Sequence, residues 1–131
     1  MEGIWRLVAS KAWDEAGHEL PAPYGRHPVG QLCFAHGRLL AALCNGDVSL
    51  SEGASRAYSS YGGVYEIKGD RLETLVDMAS DPARIGGRQV REFRLSNDTL
   101  VLRPPLRLYG SRQEQRELQW VCIWRLGPAN P

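Results

Sequence analysis

The sequence predicts an all-β protein: one domain over residues 1–131, folded as an eight-stranded antiparallel up-and-down β-barrel with one short helix near its mouth. Apolar and polar residues alternate in short runs punctuated by Gly, Asp, Asn and Pro, the period-2 signature of half-buried strands. Three connections between runs are short and turn-rich, and each sets the apolar face of one run against the apolar face of the next. The one helical candidate is too small to cover so wide a sheet, so the sheet loses its edges by closing on itself.

The first strand is expected over 4–13. The second and third, 29–34 and 39–44, flank Ala35-His36-Gly37-Arg38, and pairing outward from that turn sets Phe34 opposite Leu39 and Leu32 opposite Ala41. A short helix is expected over 51–61, opened by Ser49 and Glu52 at capping-box spacing. Strands 61–67 and 72–78 flank Lys68-Gly69-Asp70-Arg71, which puts Ile67 opposite Leu72, Tyr65 opposite Thr74 and Gly63 opposite Val76. Strands 88–95 and 99–103 flank Ser96-Asn97-Asp98-Thr99, with Leu95 opposite Leu100 and Phe93 opposite Leu102. The segment 103–117, with Pro104-Pro105, Gly110 and a charged run, reads as a loop into a last strand over 117–125.

A one-residue slip would invert every side chain, so three hairpins agreeing on one apolar face support the strand assignments together. The other face carries Glu66, Glu73, Glu92, Arg94 and Arg103 and is wet. A half-barrel capped by N-terminal helices is the alternative architecture, but 4–13 reads as strand where that fold needs helix.

The formal charge is +1 with acids and bases nearly balanced, so no single-sign field attracts nucleic acid or an anionic membrane. Of 16 basic residues only Lys11 and Lys68 are lysines; the rest are arginines, suited to planar contacts with carboxylates and aromatic faces. The first residues have no apolar h-region and no later stretch is long enough for a spanning helix, so a cytoplasmic protein is expected. Cys33, Cys44 and Cys122 form an odd set without CxxC spacing, which points to reduced thiols. His18, His27 and His36 all fall before residue 37 and have no metal-ligand spacing, so neither a metal nor a haem is expected, and no other cofactor motif is present.

Gly3-Ile4-Trp5-Arg6-Leu7 is similar to the Gly-x-Trp opening of lipocalins and of the bacterial and fungal lipocalin-like domain family. Gly30-Gln31-Leu32 with Phe34 and Gly37-Arg38-Leu39 resembles that family's second and third strands, and Tyr61-Gly62-Gly63-Val64-Tyr65-Glu66-Ile67 its fourth. Gln89-Val90-Arg91-Glu92-Phe93 with Leu95 and Asp98-Thr99-Leu100-Val101-Leu102-Arg103 resemble its sixth and seventh. The chain departs from the family at Thr74, where a histidine is frequent, and at its Trp124-Arg125-Leu126 end, where Trp-x-Arg is usual. Functions tied to that histidine, or to an arginine plug at the barrel base, are therefore not implied.

The registers turn Trp5, Leu7, Phe34, Leu39, Leu43, Ile67, Leu72, Phe93, Leu95, Leu102, Leu118 and Trp124 inward, with Trp5 and Trp124 stacked at the closed end. Such an interior is either filled by side chains or holds one small ligand, and the small inward residues Gly30, Ala41 and Gly63 favour a ligand. The expected ligand-binding set is Phe34, Tyr61, Tyr65, Thr74, Gln89, Arg91 and Trp120, a few polar groups against apolar walls. Arg91 stands out, because a guanidinium inside a barrel cannot shed its proton. It needs a structural partner such as Asp77 or a tyrosine, an escape to the mouth, or an anionic ligand.

The leading expectation is binding of a small, largely apolar molecule with a polar or acidic end. The resemblance also implies an alternative, a cofactor-independent cyclase, isomerase or dehydratase acting on a natural-product intermediate, with Tyr61, Tyr65 and Arg91 as its catalytic groups. Asp77 becomes a general base only if its strand bulges and buries the carboxylate. A third use, dimer contacts through exposed Val121 and Ile123, needs no cavity.

Overall fold

In the computed structural model, which describes residues 1–125, ten strands form a single sheet that closes on itself. They are β1 (Gly3–Asp14), β2 (Glu19–Leu20), β3 (Pro28–Ala35), β4 (Arg38–Asn45), β5 (Tyr58–Lys68), β6 (Arg71–Ala79), β7 (Arg88–Ser96), β8 (Thr99–Arg103), β9 (Arg107–Tyr109) and β10 (Arg112–Arg125). Eight of them make the barrel, in the order β1-β3-β4-β5-β6-β7-β8-β10, and β10 returns to pair with β1. β2 and β9 are short flaps at the open end, held only by β1 and β10. Residues 126–131, including Leu126, lie outside the described residues.

All three hairpins close in the expected registers. Phe34 faces Leu39 and Leu32 faces Ala41; Ile67 faces Leu72, Tyr65 faces Thr74 and Gly63 faces Val76; Leu95 faces Leu100 and Phe93 faces Leu102. Each turn has two residues, and His36-Gly37 takes positive φ at both (54° and 76°), the twist that suits a tight hairpin. These turns mark one end of the barrel. Residues 46–57, 80–87 and 104–111 cross the other.

No helix forms over 51–61. Gly53 sits at φ 76° and Arg56 Nη1 donates to the carbonyls of Asn45 and Asp47, at 2.7 and 2.8 Å, tying the segment down as a loop. Strand pairing of Tyr58 with Cys44 then overrides the weak capping signal. The only helical turn among the described residues is a single 3₁₀ turn, Pro82–Arg84, in which the Asp81 side chain accepts from the Ala83 amide.

Bulges break simple alternation, one of them at Val8 in β1, and two of them turn a large side chain outward. Ile4 faces Trp124 and Trp5 faces Cys122, so Ile123 is the extra residue and Trp124 turns outward, 55% exposed, instead of stacking on Trp5. Likewise Gly62 faces Met78 and Gly63 faces Val76, so Asp77 is extra and Met78 lies outside. Ile67 and Leu95 keep inward parity but sit beside the hairpin turns and are exposed at the rim. The segment 103–117 is a hairpin rather than a loop, with β9 folding onto β10 about Gly110 (φ 64°).

Candidate functional site

The lower half of the barrel is solid. Trp5, Leu32, Phe34, Leu39, Leu72, Leu100 and Trp120 are all buried and belong to one apolar cluster. Phe34 meets Tyr65 edge to face with ring centres 5.0 Å apart, and Trp5 Nε1 donates to the Met1 carbonyl at 2.9 Å. Tyr65 OH donates to Glu2 Oε1 at 2.9 Å. Burial, and then the adjacent Glu2 carboxylate, push this phenol up to about 12. Thr74 is packed in the same layer, and Trp120 Nε1 is buried with no partner among the described residues. Phe34, Tyr65, Thr74 and Trp120 therefore line none of the described cavities, whereas Tyr61, Gln89 and Arg91 do.

Above this plug the open end holds a cavity of about 280 Å³. Leu43 and Leu118 form its floor, Tyr24, Tyr61 and Tyr109 its walls, and Arg84, Arg91, Arg107 and Arg116 supply its cations. The 3₁₀ turn aims Arg84, whose guanidinium lies 4.5 Å above the centre of the Tyr61 ring. Arg84 Nη1 donates to Ser59 Oγ at 3.1 Å, and its Nη2 donates to Gln89 Oε1. β9 contributes Arg107 and β10 contributes Arg116, both over the Tyr109 ring, at 5.2 and 3.6 Å. Tyr24 comes from the loop before β3, its amide bonded to Ser10 Oγ, and burial pushes its phenol up.

A second cavity, of about 410 Å³, opens through the barrel wall. β7 pairs with β8 only from Glu92 onward, so its first half leaves a cleft against Pro105 and Arg107. Arg84, Arg91 and Arg107 line both cavities and form the junction between them.

Arg91 is the most enclosed of the three. Its Nη1 donates to the Val90 carbonyl at 3.1 Å, and it has no carboxylate within ion-pairing distance among the described residues. Burial holds its pKa below the ordinary arginine value; the neighbouring Arg84 and Arg107 charges add to that and Tyr61 and Tyr109 oppose it. The group still stays charged. Asp77 is not its partner: that carboxylate lies on the outer wall and is held by Arg38 Nη2 at 2.7 Å, away from the interior. Among the described residues no group of three or more His, Cys, Asp or Glu could hold a metal, and no helix is long and apolar enough to cross a membrane.

Arg84, Arg107, Arg116, Tyr24 and Tyr109 escaped the sequence reading. Arg84 had a usable signal, since Asp81-Pro82 starts a capped turn that aims the residue two positions on. Arg107 and Arg116 had none beyond belonging to a charged segment.

A closed eight-stranded antiparallel barrel, plugged at one end and hollow at the other, is the architecture of the small-molecule-binding calycin class. The model of the lipocalin-like domain family matches residues 43–126, and the chain belongs to that family. It is also similar in fold to a lipocalin-like protein from Bacteroides uniformis, at 14% identity over 93% of this chain and 97% of that one, with a TM-score of 0.50. No curated protein matches the chain. The family's barrels are small-molecule-binding scaffolds in general.

Proposed function

We propose that the barrel binds one small molecule by an anionic group held at the Arg84–Arg91–Arg107 junction, with an aromatic or apolar body against Tyr61, Tyr24, Leu43 and Leu118. The observation that carries this reading is three guanidiniums facing one cavity while none of them forms an ion pair among the described residues. Clustered like charges cost free energy unless something neutralises them, and an anionic ligand does so. The volume suits a compact ligand, about the size of one substituted aromatic ring, at the small end of ordinary pockets. The filled lower half supports this site at the mouth over one deep in the lumen.

Native mass spectrometry of protein purified from its own host, followed by calorimetry with simple aromatic acids, tests the reading. Expected are a retained acid and binding of an aromatic acid that Arg91→Leu abolishes. Retention of a neutral lipid to equal extent by the wild type and Arg91→Leu would end the proposal. If the ligand is transformed, Tyr61 beside Arg84 and Arg91 supplies the acid and the charge stabilisation, and Tyr65, bonded to Glu2 outside the cavity, does not.

A further inference from the structure

We infer that the group bound at the junction carries two negative charges. The inference rests on the anion-binding reading and adds the ligand's charge to it. Every charged or titratable group facing the junction can be assigned. The 3₁₀ turn supplies Arg84 and the Asp81 that precedes it, β7 supplies Arg88 and Arg91, β9 Arg107 and Tyr109, β10 Arg116, β5 Tyr58 and Tyr61, and the loop before β3 Tyr24. The acids are already committed. Glu114 holds Arg116 at 3.2 Å and lies 3.8 Å from Arg112, Glu73 holds Arg88 at 3.0 Å, and Asp81 accepts from the Ala83 amide at 3.0 Å.

Glu114 thus cancels Arg116, Glu73 cancels Arg88, and Asp81, exposed at the edge of the mouth, cancels one more cation at most. Two positive charges are left over, on guanidiniums that repel each other across a partly dehydrated space. A monoanion leaves one of them uncompensated, whereas a dianion neutralises both. Arginine favours such a group, because its planar donors engage carboxylate or phosphoryl oxygens in pairs. The two charges can sit on one phosphoryl group or on two carboxylates.

Matched ligands separate these cases. Calorimetry at pH 8 compares phenyl phosphate with phenyl sulfate, tetrahedral esters of nearly the same shape but different charge, and isophthalate with benzoate. In at least one pair the dianion is expected to bind about tenfold tighter than its monoanionic partner. Which pair shows the gap assigns the charges to a phosphoryl group or to two carboxylates. A phosphate preference should vanish at pH 5, because the second phosphate ionisation lies at about 6 while sulfate stays singly charged.

Arg107→Gln, a change at an exposed position, should shrink the tenfold gap to about twofold, and Arg38→Gln on the outer wall should leave it intact. Equal affinities within both pairs overturn the two-charge inference while leaving the anion site standing. Failure of all four acids to bind brings down the anion site itself.

Discussion

Replacing Arg91 by methionine should make the barrel more stable while removing its capacity for anions. A cavity of about 280 Å³ is about 8 Å across if treated as a sphere. Two unit charges at that separation repel by about 2 kcal/mol at an effective dielectric of about 20. Arg91 has two such neighbours, Arg84 and Arg107, and both depress its pKa. Water in the open mouth screens about half of that sum, leaving about 2 kcal/mol. The lost bond to the Val90 carbonyl costs about 1 kcal/mol, and relief of the buried charge's desolvation offsets it.

With 131 residues and an unfolding entropy of about 2.1 cal/mol/K per residue, a gain of about 2 kcal/mol corresponds to a rise in Tm of about 7 °C. Differential scanning calorimetry at low ionic strength reads it directly. High salt should shrink the difference as the repulsion is screened. A lower Tm for Arg91→Met than for the wild type would show that Arg91 holds the fold together, and the argument from unneutralised charge would fail with it.

Three further outcomes follow from the geometry. Gly63→Ala would place a Cβ 1.9 Å from the Leu75 carbonyl oxygen, a backbone atom of the bulged β6, and should cost about 3 kcal/mol or more in urea unfolding; a loss under about 1 kcal/mol would contradict the bulge. Tyr65 has a folded pKa near 12 against 10 when unfolded, so the stability it gives is complete below pH 10 and is lost as pH rises toward 12. The shift, discounted for solvent because the side chain is only half-buried, is worth about 1 kcal/mol, read as the difference between the wild type and Tyr65→Phe in alkaline melts; a difference that does not change from pH 9 to 12 refutes it. Burial pushes Glu117 up, but bonds from Gln119 at 2.8 Å and Arg103 at 2.9 Å outweigh it and hold the carboxyl below its ordinary value. Glu117→Gln should therefore cost about 1–2 kcal/mol at pH 7, with the loss fading as pH falls below 4.5; an equal loss at pH 3 would place its cause in packing.

The hairpins were legible because turn chemistry and face parity are local and mutually checking. His36-Gly37, Gly69-Asp70 and Asn97-Asp98 fix where each chain reverses, and alternation then pairs Phe34 with Leu39 or Phe93 with Leu102 without knowledge of the rest. Bulges break that logic. Ile123 and Asp77 carry no compositional mark of being the extra residue, so simple alternation turns Trp124 inward where the bulge turns it out. The β9–β10 hairpin was hidden because neither of its strands alternates cleanly beside Pro104-Pro105.

The site was legible only where it lies on barrel strands. Tyr61, Gln89 and Arg91 follow from parity, while Arg84, Arg107 and Tyr24 arrive on connections whose path depends on the whole fold. The plug of Trp5, Phe34 and Trp120 depends on how eight strands fill a common space, which pairwise registers do not determine.

The seam between β1 and β10 joins Gly3 to Arg125, the strand pairing with the widest sequence separation among the described residues. A ribosome therefore releases every residue from Gly3 to Arg125 before the ring has its final stave, and until then both flanking ladders stand open to strangers. Such late, long-range closure makes for slow maturation, on the millisecond-to-second scale of strand-rich topologies, and places the hazard of misassembly in the nascent molecule.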